Sequence, residues 1–340
     1  MTGYPLNPWF IACLSRELKR GKPMAVEAEG RFLVMFRDGS NGPIAFEDRC
    51  AHRNAPLSLG RMCEGRLQCA YHGWTYGSDG SVVEIPAVVE RPSEPGLRVQ
   101  SFHAEEQDGF VWVTFEESRP AVSPPKFPYF KEKGWTSFVM KTRFQAPIES
   151  CLENFLDCPH AAFLHRYWFR SPTARPVKAT VRTLPDGAEA EFSEEPREKS
   201  LVWWLLAPMR GGMRHVDRFI APRTSRVDYV FQNGLHYVIT SSCTALPGGE
   251  TQVYTAITFR FGWLGPLVRL FFEPLSRRII GQDVEMLSAQ QRNVRRFSGA
   301  RFNSTRADLL GRHIAAWRQA LERGEPPPSA GQQYDVDIRL

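Results

Sequence analysis

Short runs of apolar residues, separated by turn signals, fill the first third of this 340-residue chain. Glycine, proline, asparagine and aspartate gather between the runs, as at Asp38–Pro43 and Ser78–Gly80, which is typical of β-strands joined by tight turns. The pattern predicts a small all-β domain over residues 1–118. The apolar runs behind this prediction are Phe32–Phe36, Ile44–Phe46, Ser81–Ile85 and Phe110–Phe115.

A different pattern follows a proline-rich stretch that starts at Arg119. Residues 119–134 fit a semi-rigid linker because proline favours extended backbone. Residues 135–322 mix helical and strand periodicity, which predicts an α+β domain. Residues 323–340 are rich in proline, glycine and polar side chains, and we expect a loose tail or a subunit contact there. The predicted elements are a helix near Ile148–Leu164, strands between Ala179 and Phe261, and helices near Leu264–Arg295 and Ser304–Glu322.

The composition is that of a globular protein, with 42% hydrophobic and 24% charged residues, and it excludes a disordered chain. The longest apolar stretch, Phe261–Phe272, contains Arg269 and is shorter than the ~20 residues that a bilayer requires, so we expect no membrane span. The N-terminus lacks the pattern of a secretory signal, which favours a cytoplasmic location. The net charge of +6 is spread along the chain without basic blocks, so we expect no nucleic-acid partner.

Four of the cysteine and histidine residues form two close pairs. The seven cysteines are an odd and scattered set, which favours reduced thiols or metal ligands over a disulfide framework. Cys50 and His52 lie in one predicted loop, and Cys69 and His72 lie in another. A structural zinc finger groups cysteine with cysteine, whereas a Rieske [2Fe–2S] cluster takes two thiolates and two imidazoles, one of each from each loop. The spacing therefore favours the Rieske cluster over zinc.

The segment Cys69–Trp74, together with Arg53 and Pro56–Gly60, resembles the Rieske domain of ring-hydroxylating and demethylating oxygenases. Respiratory Rieske proteins carry an additional cysteine in each loop, and Ala55 and Tyr71 occupy those places here. The resemblance therefore points to a cluster of oxygenase or ferredoxin type, with few hydrogen bonds to its sulfurs and a potential on the low side of the Rieske range.

That resemblance implies that two cysteine–histidine pairs bind the [2Fe–2S] cluster, and that the remaining cysteines need no role. The implied cluster ligands are Cys50, His52, Cys69 and His72, and the other cysteines are Cys13, Cys63, Cys151, Cys158 and Cys243.

A second group of candidate ligands lies well beyond the length of a Rieske ferredoxin. His160 and His165 stand about 140° apart on an ideal helix, too far round to share a metal unless the helix breaks. Pro159, directly before His160, provides such a break. With a carboxylate, the two histidines would make a 2-His-1-carboxylate site for ferrous iron, with positions left open for dioxygen and substrate. The alternative is a helix end with two ordinary histidines.

The oxygenase family carries the string Asn-x-x-Asp-x-x-His-x-x-x-x-His in its catalytic domain, and this chain reproduces it at residues 154–165. The resemblance implies that His160 and His165 bind iron and that Asn154 lies near it. It also implies that Asp157 links the mononuclear iron to the Rieske histidine of a neighbouring subunit, where a carboxylate would orient the imidazole and couple the two metal sites. Asp157 could instead cap a helix or be a surface charge.

The third iron ligand must be a carboxylate further along the chain. The segment Gly281–Gln291 resembles the family's aspartate followed by an apolar and glutamine-rich helix, so Asp283 is the expected ligand, sharing a helix face with Leu287 and Gln290. Glu285 is the near alternative. Asp308 is the distant one, since it fits the first turn of the last helix.

Four further histidines lack partners at ligand spacing, and we interpret them as structural, although two of them could line a pocket. The aromatic run Leu201–Leu206 predicts a core strand first and a pocket wall second. The four histidines are His103, His215, His236 and His313, and the two that could line a pocket are His215 and His236.

Together the motifs cover nearly the whole chain and resemble the α subunit of Rieske non-haem iron oxygenases. Size and pattern are similar to vanillate and dicamba O-demethylases, which form homotrimers. The resemblance implies a Rieske domain followed by a helix-grip (START/Bet v1-like) catalytic domain with an antiparallel sheet. It also implies monooxygenation of a hydrophobic or aromatic small molecule, by hydroxylation or oxidative demethylation, with O2 as co-substrate.

Electrons from NAD(P)H would arrive through a separate ferredoxin and/or flavin reductase, because the chain has no Gly-x-Gly-x-x-Gly fingerprint of its own. Two other functions remain open at this point. The same metals support cis-dihydroxylation of an arene, and a Rieske electron carrier with a vestigial second site is a candidate of another class.

Overall fold

The chain divides into two compact units. The computed structural model describes residues 6–89, 96–166, 168, 176–193, 213–231 and 234–339. The first unit comprises Asn7–Lys126 and Thr244–Gly248, and the second holds most of the chain from Phe127 onward. The division at Lys126 falls within residues 119–134, where no helix or strand is present.

The first unit is built from two antiparallel β-sheets, as the short apolar runs predict. In spatial order, the six-stranded sheet contains β1 (Phe10–Leu14), β10 (Phe110–Thr114), β9 (Ser101–Gln107), β4 (Pro43–Glu47), β3 (Arg31–Arg37) and β2 (Met24–Ala28). The four-stranded sheet contains β5 (Arg61–Cys63), β6 (Arg66–Gln68), β7 (Thr75–Tyr76) and β8 (Val82–Glu84).

Two hydrophobic clusters hold the first unit together. One is centred on Leu33, Met35 and Val111. The other contains Leu57, Leu67 and Tyr76 together with the thiols of Cys50 and Cys69. Since the same cluster contains both cysteines, the two loops that carry them are anchored to one core.

The second unit is built on an eight-stranded, largely antiparallel sheet. Its strands, in spatial order, are β11 (Thr136–Phe144), β17 (Glu250–Arg260), β16 (His236–Leu246), β15 (Thr224–Phe231), β14 (Met213–Ile220), β13 (Gly187–Ser193), β12 (Pro176–Leu184) and β18 (Gln333–Arg339). Side chains alternate between the faces of the central strands. On β14 the residues from Met213 to Phe219 are buried at every second position, and a strand with this period has one face on the core.

Four described helices accompany this sheet: α1 (Ile148–Leu156), α2 (Ala161–Leu164), α3 (Gly265–Arg296) and α4 (Gly311–Arg323). Helix α3 packs on the inner face of the sheet through Phe272, whose ring centroid lies 5.2 Å from that of Tyr237 and 5.8 Å from that of Phe259. The architecture is the predicted α+β arrangement, with an all-β unit followed by a sheet-rich unit.

Among the described helices, none combines the length and the apolar character that crossing a membrane requires.

The C-terminal segment differs from the expected loose tail, and that prediction was wrong. Residues Gln333–Arg339 form the edge strand β18, which pairs antiparallel with β12 from Pro176 to Arg182. Proline and glycine before this strand suggested a tail. Val336 and Ile338 alternate with polar residues as in a strand, but the strand forms because the edge of β12 is available to pair with it. The last helix also begins at Gly311, seven residues after the predicted start.

Candidate metal centres and substrate cavity

The first cysteine–histidine loop is closed by two backbone hydrogen bonds. The N–H of Cys50 donates to the carbonyl of Ala55, and the N–H of Asn54 donates to the carbonyl of Cys50, both at 2.9 Å. Asn54 has a positive φ of 58°, a left-handed conformation that asparagine tolerates better than most residues. The tight turn places His52 at its outer end.

The second loop repeats the same bonds. The N–H of Cys69 donates to the carbonyl of Trp74 at 2.9 Å, and the N–H of Gly73 donates to the carbonyl of Cys69 at 3.1 Å. Gly73 has a φ of 73°, and a Cβ at this position would lie 2.9 Å from Cγ of Pro86. Glycine is therefore required here both by the backbone conformation and by space.

The side chains of the two loops meet in one place. The thiols of Cys50 and Cys69 are buried in the same hydrophobic cluster, and the ring centroids of His52 and His72 are 4.6 Å apart. Nδ1 of His52 is buried and has no hydrogen-bond partner among the described residues. Such an unpaired nitrogen is costly unless a ligand takes it up. Two thiols and two imidazoles fit a [2Fe–2S] cluster with mixed ligands.

Tyr76 contacts the cluster site through its hydroxyl group. The hydroxyl accepts a hydrogen bond from the N–H of Ala51 at 3.0 Å and lies 3.1 Å from Sγ of Cys50. Because Ala51 is a donor, the hydroxyl proton is left to donate to the sulfur. Burial raises the pKa of Tyr76 above its ordinary value, so the proton stays on the oxygen at neutral pH. Among the described residues, the candidate cluster site therefore includes a side-chain hydrogen bond to the Cys50 sulfur.

His160, His165 and Asp283 converge in the second unit. The two histidines flank the short helix α2, and Asp283 lies on α3. Oδ1 of Asp283 is 3.6 Å from Nε2 of His160 and 3.1 Å from Nε2 of His165. Helix α1 ends at Leu156, so the predicted break before His160 is present. Two imidazoles and one carboxylate with ligand atoms within 4.8 Å of one another fit the donor set for ferrous iron.

The outer nitrogens of both histidines are held by hydrogen bonds. Nδ1 of His160 is bonded to the backbone carbonyl of Asp157. Nδ1 of His165 lies 2.9 Å from Oε1 of Gln282. An Nδ1–H that donates in this way leaves Nε2 as a bare lone pair facing Asp283, which is the tautomer that a metal needs. Asn154 adds a bond from Nδ2 to Oδ1 of Asp283 at 3.3 Å.

Burial and charge act in opposite directions on these groups. Burial opposes ionisation of Asp283, but when His160 and His165 carry a proton on Nε2 their hydrogen bonds and charge outweigh it and hold the pKa of this carboxyl below its ordinary value. Burial also opposes protonation of His160, yet the hydrogen bond and charge of Asp283 leave its pKa raised. For Asp157, burial dominates and raises the pKa. The charged carboxylate at Asp283 is the form that can bind a cation.

His160, His165 and Asp283 line a cavity of about 140 Å³. This volume is close to the ~150 Å³ that accommodates a benzene ring. The cavity lies between the inner face of the sheet and helix α3. Residues of α3 reach it at the spacing of one helical face, from Ser276 through Ile279 and Ile280 to Asp283. On the sheet side the wall includes Val227, Tyr229, Tyr237, Ile239 and Ile257.

A second group of potential ligand atoms lies beside the cavity. Sγ of Cys158 is 3.0 Å from Oδ2 of Asp217, and Nε2 of His215 is 2.9 Å from Oδ1 of the same carboxylate. The His215 ring is stacked between Phe192 and Tyr229, with both centroid distances 4.4 Å. Cys158 and Asp217 line the cavity.

The alternative third ligands lie away from the two histidines. Glu285 is exposed and lines a different surface depression. The carboxylate of Asp308 accepts bonds from Thr305, in the turn before α4. Gln290 shares the helix face of Asp283 and Leu287 by its spacing, but its side chain is exposed. Leu201–Leu206 lies outside the described residues. All seven cysteines are described, and none forms a disulfide.

Sequence reasoning missed three contributors to these sites. Gln282 could have been proposed because it directly precedes Asp283. Asp217 could have been found from the pair His215-x-Asp217, which a strand places on one face. Tyr76 had no signal of its own, since its distance from Cys50 depends on how β7 pairs within the small sheet.

Two family models match separate parts of the chain. The Rieske [2Fe-2S] domain matches residues 8–103. The vanillate O-demethylase oxygenase C-terminal domain matches residues 144–324, which is more than half of the chain. The chain belongs to the Rieske non-haem iron oxygenase family. Members of this family are oxidoreductases that use the [2Fe–2S] cluster, non-haem Fe²⁺ and O2.

Individual relatives cover different parts of the chain. Chlorophyllide a oxygenase of Chlamydomonas reinhardtii is 27% identical over 97% of this chain and 52% of its own length. Methylxanthine N1-demethylase NdmA of Pseudomonas putida is 33% identical over 46% of each chain. The structure of dicamba monooxygenase bound to dicamba has a TM-score of 0.78 at 20% identity, covering 95% of this chain and 98% of that one, which shows a shared fold. The chain spans about half the length of the first curated relatives that it matches.

Proposed function

We propose that this chain is the oxygenase component of a Rieske monooxygenase that hydroxylates or oxidatively demethylates a hydrophobic or aromatic small molecule. The observation that carries the proposal is that His160, His165 and Asp283 line the same cavity. A methylxanthine N1-demethylase among its relatives favours demethylation of an aromatic substrate.

The cavity side chains position the substrate for this reaction. Apolar side chains such as Ile239, Ile257 and Ile279 would hold an aromatic ring and exclude water from the reacting carbon. Ferrous iron bound by the two histidines and Asp283 would supply dioxygen activation at one end of the cavity. Asn154, bonded to Asp283, would keep that carboxylate oriented.

Asp157 is proposed to couple the mononuclear site to the Rieske histidine of a neighbouring subunit. Its backbone carbonyl bonds Nδ1 of His160, while its carboxylate is 36% exposed and can accept a hydrogen bond from outside. His72 is exposed in the Rieske unit. A carboxylate between two ligand imidazoles would orient both.

A homotrimer would provide that neighbouring subunit. Helix α3 and the turn before it expose an apolar stripe at helical spacing, with Trp263 88%, Leu270 68% and Phe271 69% exposed. Exposed patches of this kind mark interaction sites.

We propose that a ferredoxin and/or flavin reductase, drawing on NAD(P)H, supplies the electrons. We also propose that the protein works in a reducing compartment such as the cytoplasm, since its cysteines form no disulfides.

The test is reconstitution with a reductase and a screen of aryl methyl ethers and N-methylated heterocycles under labelled dioxygen. We expect about three iron atoms per chain, formaldehyde as a product, and one labelled oxygen atom incorporated. Two incorporated atoms would mean cis-dihydroxylation. About two iron atoms and no turnover would mean an electron carrier.

A further inference from the structure

Asp217 differs from the other carboxylates of the cavity. Among the described lining residues there are three aspartates and no lysine or arginine. Asp283 is engaged by the two histidines, and the side chain of Asp157 is partly exposed. Asp217 is only 2% exposed and lies outside the group of His160, His165 and Asp283. A carboxylate buried beside an otherwise largely apolar cavity is expensive unless it serves a purpose there.

The Asp217 carboxylate is fixed in direction by two donors. Nε2 of His215 bonds Oδ1, and the Cys158 thiol bonds Oδ2. The His215 ring is itself held between the Phe192 and Tyr229 rings. A carboxylate has about four lone-pair sites, so these two donors leave accepting capacity for a group inside the cavity.

Hydroxyl groups also line the cavity on the inner face of the sheet, and two of them bond each other. Ser241 and Thr255 bond each other at 2.9 Å. Ser225 lies two residues from Val227, which pairs directly with Asp217 across β14 and β15. Asp217 therefore provides the strongest acceptor that a described residue offers to the cavity, because bonds to charged groups are stronger than neutral ones.

We propose that Asp217 is a recognition site for a hydrogen-bond donor on the substrate, an N–H, ammonium or hydroxyl group, and that carboxylic acids are rejected. This inference rests on the proposed function, since it assigns the substrate class of the same cavity. In a low-dielectric cavity a substrate carboxylate would face the fixed negative charge of Asp217, whereas an ammonium or amide N–H would bond it.

A metal site is the alternative interpretation of this cluster. The ligand atoms of Cys158, His215 and Asp217 lie within 4.8 Å of one another, as they would around a metal ion. Binding a cation there would displace both hydrogen bonds to Asp217. The two interpretations differ in metal content: a metal site predicts an additional ion that is lost on Cys158→Ser, whereas recognition by Asp217 predicts none.

The experiment uses the full-length, cluster-loaded protein and three probes that share one ring, 3-methoxybenzylamine, 3-methoxybenzamide and 3-methoxybenzoate. Anaerobic calorimetry should give dissociation constants about tenfold or more lower for the amine and the amide than for the acid. Asp217→Asn should weaken amine binding about tenfold. The matched control is Asp228→Asn, because Asp228 also pairs with a histidine, His236 at 3.1 Å, but does not line the cavity.

Several results would overturn the inference. They are tightest binding of the acid, no binding of any probe, equal effects of the two aspartate variants, or an additional metal ion lost on Cys158→Ser. The order of the three probes on the unmodified protein tests the idea even where a variant does not fold. Formaldehyde release is measured separately with the reductase, so the expected binding order without turnover would contradict demethylation and leave Asp217 recognition intact.

Discussion

The two candidate metal sites of this protein are built over very different distances along the chain. The proposed Rieske ligands lie between residues 50 and 72, on two loops closed by the same pair of backbone hydrogen bonds. In the catalytic unit, His165 meets Gln282 across 117 residues of sequence, because helix α3 returns over the sheet. A site made by local turns can be recognised from spacing, while a site made by packing depends on the whole domain.

The comparison predicts that each site can be removed without the other. The largest effect is expected for Asp283→Ala, which removes the carboxylate between the two histidines. Product formation should fall to background, and iron should fall from about three to about two atoms per chain, while the visible spectrum of the cluster stays unchanged. Activity assay, metal analysis and absorption spectroscopy check this together.

The matched control for that variant is Glu285→Ala, an exposed acid two residues further along the same helix. It should retain both iron and activity. Loss of iron in this control with retention in Asp283→Ala would reverse the assignment of the third ligand.

The complementary variant is Cys69→Ala in the Rieske unit. Removal of one thiolate should bleach the cluster absorption and abolish turnover, because electrons no longer reach the catalytic unit. Mononuclear iron should remain, detectable by the electron paramagnetic resonance signal of its nitric oxide adduct. Cys63→Ala, a half-buried cysteine on β5, is the control and should keep the cluster. A coloured Cys69→Ala protein would contradict the ligand assignment.

A smaller effect is expected where the packing of α3 supports a ligand. Gln282→Leu removes the acceptor for Nδ1 of His165, so the imidazole loses its fixed orientation. Iron affinity should fall by about 10–100-fold, measured by chelator competition. Gln290→Leu, at an exposed position of the same helix, is the matched comparison, and equal losses in both would show that Gln282 has no special role.

The smallest effect concerns the tuning of the cluster. Tyr76→Phe removes the hydroxyl that lies 3.1 Å from Sγ of Cys50. A hydrogen bond to a cluster sulfur stabilises the reduced form, so its loss should lower the reduction potential. At about 1 kcal/mol for one bond, the shift is about 40 mV, measurable by redox titration. An unchanged potential would mean that the hydroxyl does not donate to the sulfur.

The sequence was sufficient for whatever depends on near neighbours in the chain. Cys50, His52, Cys69 and His72 follow from loop spacing, and the helix break before His160 follows from Pro159 because proline cannot continue the α1 hydrogen bonds. Matching to a family motif extended this to Asp283. The short β runs predicted the all-β unit, since period-two patterns and turn residues are local signals.

Tertiary structure decided what depends on the pairing of distant elements. Gln333–Arg339 became the edge strand β18 because β12 offered it an unpaired edge, although its flanking composition suggested a tail. Asp217 faces the cavity with His215 behind it only because β14 lies where its inner face meets the end of α1. Sequence spacing carries the geometry of a turn, but the contacts made by a sheet and a helix packed together depend on register and packing, which are fixed only when the whole domain folds.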